Sequence, residues 1–273
     1  MHLLAMATTD QSWLSSEMKA CRCTDGFERR VFSTGSGPVL VCVPVLDRFN
    51  FLYAPQIRLL QDRRRVVTYA PILSTSAAVS LDNRVTELCA VLDTIQADSV
   101  DVLGWSDGGA IACNFAARYP SRTRSLTVLS LPRRFNSVLR AGARLVPFLP
   151  LQTRFSAVFI RWMLAMLSRG PAIKFDSIIA QLREIPDLVQ LLRYSLLPLL
   201  QAHVVDPHTI SCPSLVLVGD RDRFVSVKAA GKLAQVLPNA QELIVIEKGE
   251  HFLTYANAVA VNRYIDLFLP RKI

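Results

Sequence analysis

Gly104-Trp105-Ser106-Asp107-Gly108-Gly109 joins an apolar, strand-like run at 99–103 to a helix-like run at 110–118. The stretch reads as a tight strand-to-helix turn with a serine at its apex. A Gly-x-Ser-x-Gly turn lifts the serine hydroxyl above the sheet edge, and its glycines stand where a side chain would collide with neighbouring backbone. Ser106 is therefore the candidate nucleophile. An unaided serine hydroxyl reacts poorly at neutral pH, so a histidine base and a carboxylate to orient that base must come from elsewhere in the chain.

Both follow. The apolar run 214–218 leads into Gly219-Asp220-Arg221-Asp222, and the run 243–246 leads into Lys248-Gly249-Glu250-His251-Phe252. Each candidate sits just past the carboxyl end of a strand, where open α/β sheets assemble their sites, so residues remote in sequence meet over one edge. His251 is the expected base, with Asp220 or Asp222 as the acid. His203 and His208 follow no sheet strand, and His2 belongs to an N-terminal arm.

The order Ser, Asp, His resembles that of the α/β-hydrolase superfamily, and the likeness runs from about Glu17 to the C-terminus. It implies a mostly parallel, eight-stranded α/β sheet flanked by helices and carrying a helical cap insertion. The family's acid is the second aspartate of a Gly-x-x-Asp turn, which implies Asp222 here and leaves Asp220 as runner-up. The elbow string also resembles that of valacyclovirase-like serine hydrolases, whose aspartate after the nucleophile recognises a substrate amino group. Asp107 stands at that position, although the positive end of the helix dipole gives an independent reason for an acid there.

Two loops depart from the family pattern. Counting back from Pro55-Gln56-Ile57 places Pro44 and Val45 where the family carries His-Gly. The implied oxyanion hole is then the backbone N–H groups of Leu46 and Asp107, with Val45 lacking the freedom of glycine. After 66–69, Ala70-Pro71-Ile72-Leu73-Ser74 replaces the family's Asp-x-x-Gly-x-Gly turn. Val45, Trp105, Trp162 and Phe252 are the expected substrate-lining residues. Neither a metal nor a nucleotide cofactor is called for, since the sequence has no Gly-x-Gly-x-x-Gly and no phosphate-loop lysine pattern.

The 273 residues divide into a hydrolase core, 1–131 plus 210–273, and an insertion at 132–209. Residues 1–16 read as a loose arm tacked down by Trp13 and Leu14. Runs at 18–23 and 27–33 flank the turn Thr24-Asp25-Gly26 and predict a hairpin at the sheet edge. Residues 39–43 form an apolar run suited to a strand buried on both faces. Val85, Leu88, Leu92 and Ile95 recur at helical spacing behind Asp82, a plausible cap. Helices are expected at 225–237 and, as one closing element, at 252–269. The insertion is helical in pattern, broken by Pro147, Pro150, Pro171, Pro186 and Pro198, and lies where the family places its cap.

Composition excludes several classes. With 51% hydrophobic and 19% charged residues the chain buries a sizeable core and is not disordered. Its net charge of +9 is concentrated, since 108–175 holds no Asp or Glu but includes Arg133, Arg134, Arg140, Arg144, Arg154 and Arg161. Nucleic-acid signatures such as paired Cys/His ligands are missing, so no nucleic-acid partner is expected. The apolar run 157–167 is interrupted by Arg161 and falls short of the roughly 20 residues that span a bilayer. Apolar run and basic stretch together suggest a lipophilic substrate met by peripheral contact with an anionic membrane. Of the six cysteines, Cys42, Cys89 and Cys113 lie in apolar runs and read as core, and neither zinc nor disulfides are implied. The opening Met1-His2-Leu3-Leu4-Ala5-Met6 lacks the basic start and long apolar centre of a signal peptide, which makes cytoplasmic the default location.

The chemistry expected is hydrolysis of a small-molecule carboxylic ester or thioester through an acyl-enzyme. Acyl transfer or C–C bond hydrolysis with the same triad is the alternative within catalysis. A non-catalytic binding protein on this scaffold is the alternative outside it.

Overall fold

The computed structural model describes Leu14 and residues 17–44, 50–71, 80–131 and 206–269. The strands are β1 (Lys19–Arg22), β2 (Glu28–Thr34), β3 (Val39–Val43), β4 (Arg65–Tyr69), β5 (Val100–Trp105), β6 (Thr123–Leu129), β7 (Ser214–Gly219) and β8 (Ile244–Ile246). They form one eight-stranded sheet in the order β1-β2-β4-β3-β5-β6-β7-β8. β1 and β2 pair antiparallel, as do β2 and β4, and every later pairing is parallel. The helices are α1 (Ala54–Leu60), α2 (Leu81–Thr94), α3 (Asp107–Arg118), α4 (Val227–Val236), α5 (Leu253–Ala256) and α6 (Ala258–Phe268). This is the mostly parallel α/β sheet that the strand runs predict, with the hairpin β1–β2 at one edge.

The core lies on both faces because the central strands alternate between them. In β3, Val39, Val41 and Val43 enter one apolar cluster with Val85, Leu88, Ile111 and Phe115. Leu40 and Cys42 enter the opposite cluster with Tyr53, Ile57, Leu253 and Ile265. A parallel strand covered by helices on both faces needs this continuous apolar run. Leu14 is buried in the second cluster, so one residue of the N-terminal arm is packed into the body.

Two boundaries differ from the sequence expectation. Ser80 caps α2 in place of Asp82: its extended backbone lets the hydroxyl accept from the Asn83 N–H at 3.1 Å, and Asp82 falls inside the first turn. The closing helix is two helices, α5 and α6, parted at Asn257, whose φ of −116° and ψ of 28° leave the helical region. Asparagine competes for backbone hydrogen bonds and favours helix ends over interiors. Buried amides tie this pair of helices to α1, with Gln56 donating to the Thr254 carbonyl at 2.8 Å and Asn262 to that of Pro55 at 3.2 Å. The cap expected at 132–209 falls outside the described residues except for its last few. Among the described residues no helix is long and apolar enough to cross a membrane.

Candidate active site

Ser106 occupies the turn between β5 and α3 with φ 54° and ψ −123°, a conformation L-residues rarely adopt. Strain of this kind costs on the order of 1–3 kcal/mol and persists only where the surroundings enforce it. Here the backbone is enforced by close approach on both sides. A Cβ on Gly104 would come within 2.4 Å of the Gly108 carbonyl oxygen, and one on Gly108 within 2.6 Å of that of Val43. The Ser106 N–H donates to the Leu129 carbonyl at 2.9 Å, which fixes the apex against β6.

His251 and Asp222 reach the same point from the ends of β8 and β7. His251 Nε2 lies 3.1 Å from Ser106 Oγ. Its Nδ1 lies 3.0 Å from Asp222 Oδ2 and 3.2 Å from Oδ1. The Asp222 carboxylate also accepts from the backbone N–H groups of Phe224 at 2.8 Å and Val225 at 3.0 Å. Burial alone would raise its pKa, but the hydrogen bond and charge of His251 and the Val225 amide outweigh burial and hold it below the usual value. Asp220 is exposed and makes no such contact with His251. The structure thus brings Ser106, Asp222 and His251 together. His208 is exposed at the surface, and His203 and His2 lie outside the described residues.

The ring of His251 is held among aromatic neighbours. Trp105 and Phe224 each stand 5.3 Å from it between centroids, and Phe252 stands at 6.1 Å. The Trp105 indole N–H donates to the His251 carbonyl at 2.6 Å, so the residue before the nucleophile anchors the backbone of the base. Trp105 and Phe252, expected to line the substrate, are 3% and 1% exposed and pack on each other at 5.2 Å. Val45, Leu46 and Trp162 lie outside the described residues.

Asp107 opens α3 but is 1% exposed, with Oδ1 accepting from the Gly108 N–H at 2.9 Å and Oδ2 without a hydrogen-bond partner among the described residues. Burial pushes its carboxyl up to about 8, against the lowering pull of the Arg84 charge and the Gly108 amide. The positive end of the helix dipole, the independent sequence reason for an acid at this place, is therefore set against burial, which raises the carboxyl. Two residues at the site carry contacts that the sequence did not announce. Tyr53 and Arg84, both buried, hold the end of β3 beside the elbow. Arg84 left a trace in the sequence, because it stands between Leu81 and Leu88 at three- and four-residue spacing, on the apolar face of α2.

A sequence profile of the Alpha/beta hydrolase family matches residues 36–263. The chain belongs to the alpha/beta hydrolase family. Among curated relatives of this hydrolase is the 2-hydroxy-6-oxononadienedioate/2-hydroxy-6-oxononatrienedioate hydrolase 1 of Dechloromonas aromatica, 26% identical over 264 residues, 90% of this chain and 88% of the relative. Another is the 2-hydroxy-6-oxo-6-phenylhexa-2,4-dienoate hydrolase of Burkholderia cepacia, 27% identical over 223 residues, 76% and 77% of the two chains. Among solved structures, the meta-cleavage product hydrolase of Pseudomonas fluorescens IP01 superposes with a TM-score of 0.77 at 18% identity, covering 93% of this chain and 98% of that one. The enol-lactonase of Burkholderia xenovorans LB400 gives 0.74 at 17% identity, covering 92% and 99%. At such identities the superpositions speak for the fold alone.

Proposed function

We propose that this alpha/beta hydrolase cleaves a carboxylic ester or thioester through an acyl-enzyme on Ser106. The observation that supports this is the unbroken hydrogen-bonded chain from Ser106 Oγ through both nitrogens of His251 to Asp222. In this mechanism Ser106 Oγ bonds to the carbonyl carbon while its proton passes to His251 Nε2. The tetrahedral intermediate collapses as that proton goes to the leaving alcohol or thiol, and water then repeats the sequence to free the acid. Asp222 fixes the tautomer with the proton on Nδ1 and stabilises the imidazolium as it forms. The backbone N–H groups of Asp107 and Leu46 are assigned to the oxyanion. The insertion at 132–209 serves as the cap that selects the acyl chain.

A second reading, C–C bond hydrolysis, draws on the relatives named as hydrolases of 2-hydroxy-6-oxo-dienoates. There the leaving group is carbon and must be protonated on carbon, a task for which a base already carrying the serine proton is placed. Labelling with a fluorophosphonate followed by peptide mapping tests the nucleophile: the label should sit on Ser106 and vanish in Ser106→Ala. Turnover of p-nitrophenyl esters against loss of the conjugated absorbance of a 2-hydroxy-6-oxo-dienoate separates the two readings. Labelling elsewhere, or undiminished in the variant, overturns both.

A further inference from the structure

β3 ends where the family's oxyanion loop begins, and in this chain the next residue is Pro44. Proline has no N–H, so it cannot donate the hydrogen bond that would carry the β3–β5 ladder past its last pair, Val43↔Gly104. Two buried side chains hold this end of the strand. Tyr53, 1% exposed, donates its hydroxyl to the Val43 carbonyl at 2.8 Å and accepts from the Trp105 N–H at 3.0 Å. One oxygen thereby bridges β3 to the residue before the nucleophile. Arg84, also 1% exposed, donates from Nη2 to the next carbonyl, that of Pro44, at 2.7 Å.

Arg84 is itself anchored. Its Nε stands 3.3 Å from Glu87 Oε2, while Glu87 Oε1 accepts from Arg29 Nε at 3.1 Å. Arg29 in turn grips the Asp25 carboxylate at 2.6 and 2.7 Å in the β1–β2 turn. A buried guanidinium without partners is strongly disfavoured, so this run of alternating charges pins the arginine in place and, through it, the Pro44 carbonyl. Peptide planarity passes the constraint on the Pro44 carbonyl to the amide of residue 45, one residue before the Leu46 amide assigned to the oxyanion.

We propose that Tyr53 and Arg84 are positioning residues that preorganise the end of β3 for oxyanion stabilisation, replacing the rigidity that backbone pairing and a glycine loop would otherwise give. Neither touches the reacting atoms. Each acts through a carbonyl, Tyr53 on Val43 and Arg84 on Pro44, and Tyr53 ties that strand end to the elbow as well. The inference rests on the reading of Ser106 as nucleophile.

The test uses the full chain and the variants Tyr53→Phe, Arg84→Met, Arg84→Lys and the double variant Tyr53→Phe/Arg84→Lys. Tyr53→Phe removes one oxygen and keeps the ring, so it remains informative if Arg84→Met fails to fold. Four quantities are read on folded protein: kcat and KM for a p-nitrophenyl ester, the rate of Ser106 labelling by a fluorophosphonate, and inhibition by an aryl trifluoromethyl ketone. In that inhibitor Ser106 Oγ adds to the carbonyl carbon, its proton moves to His251, and the former carbonyl oxygen becomes the anion of a hemiketal. Displacement of a reacting group by about 1 Å costs on the order of 100-fold in rate, so Tyr53→Phe and Arg84→Lys are each expected to lower kcat by roughly 10- to 100-fold with little change in KM. Inhibitor affinity should fall by a similar factor, and the double variant should lose less than the product of the single losses, because both act on one strand end. Folded variants with wild-type kcat and wild-type inhibitor affinity overturn the inference, as does a kcat loss that leaves inhibitor affinity untouched. A wild-type protein that takes no label at Ser106 overturns the nucleophile reading itself, an outcome distinct from a labelled wild type with unaffected variants.

Discussion

A methyl group placed on Gly219 would strike the backbone that brings acid and base together. Gly219 ends β7 three residues before Asp222, and Gly249 lies two residues before His251. The Cβ of Gly219→Ala would stand 2.1 Å from the Gly249 carbonyl oxygen and 2.3 Å from its carbon, where ordinary contact begins at 3.4 Å. Both atoms belong to the main chain, so no side chain can rotate away, and the two turns must part by about 1.3 Å. The same Gly249 oxygen accepts the Arg221 N–H at 2.9 Å, and that bond stretches as they part. Overpacking of this kind costs about 1–3 kcal/mol. Moving Asp222 away from His251 by about 1 Å should lower kcat on the order of 100-fold. The assay pairs thermal unfolding with ester turnover and uses Gly231→Ala as control, because a Cβ there meets only Leu243 Cδ2 at 3.8 Å. The control lies within α4, where replacing glycine is expected to stabilise by up to about 1 kcal/mol. If Gly219→Ala matched the wild type in melting and in turnover, the claim that close backbone contact sets the acid–base distance would be refuted.

Asp222→Asn should lower kcat by about 10⁴-fold, because the histidine loses its tautomer, while exposed Asp220→Asn should cost little. Equal losses in a turnover assay would reassign the acid. Asp107 bears on stability: its carboxyl is raised from 3.8 to about 8 chiefly by burial, so within that window the unfolded chain ionises first and stability falls as pH rises. Asp107→Asn should remove that slope, and parallel curves of melting temperature against pH for variant and wild type would disprove it. The basic, acid-poor stretch 108–175 predicts preference for medium-chain over acetate p-nitrophenyl esters and salt-sensitive sedimentation with anionic liposomes. Preference for acetate with no liposome binding at low salt would leave those residues as a solvated face.

What could be read from the sequence was local. Ser106 declares itself because glycines at 104 and 108 are dictated by contacts within the turn and with the adjoining strand. The central strands declare themselves because burial on both faces demands an unbroken apolar run, as at Val39–Val43. What stayed hidden depends on partners far along the chain. Tyr53 and Arg84 act on carbonyls 10 and 40 residues away, and no propensity of tyrosine or arginine encodes which carbonyl it will meet. The burial of Trp105 against His251 likewise follows from the packing of β5 against the chain after β8. The α2 cap lies two residues before Asp82, because serine and aspartate are both good caps and only the extended backbone of Ser80 decides between them. Asn257 divides the closing helix for a comparable reason, since its apolar periodicity runs on across the break.

The two aspartates of the site are driven in opposite directions, and the contrast bears on how the chemistry is arranged. The Asp222 side chain is buried, yet its carboxyl is held below the usual value by His251 and by backbone N–H donors, as a carboxylate that must stabilise an imidazolium requires. Asp107, adjacent to Ser106, is buried with, among the described residues, a single donor on one oxygen and none on the other, and is pushed toward the neutral acid. An ionised carboxylate beside the nucleophile would oppose negative charge developing on the substrate oxygen. Burial, by raising the Asp107 carboxyl, works against that opposition without removing the residue. The Arg84 cation pulls Asp107 the other way and is also committed to the Pro44 carbonyl and Glu87. Two carboxyls of the same chemical type are thus shifted in opposite directions, because one is offered several donors and the other a single amide against burial.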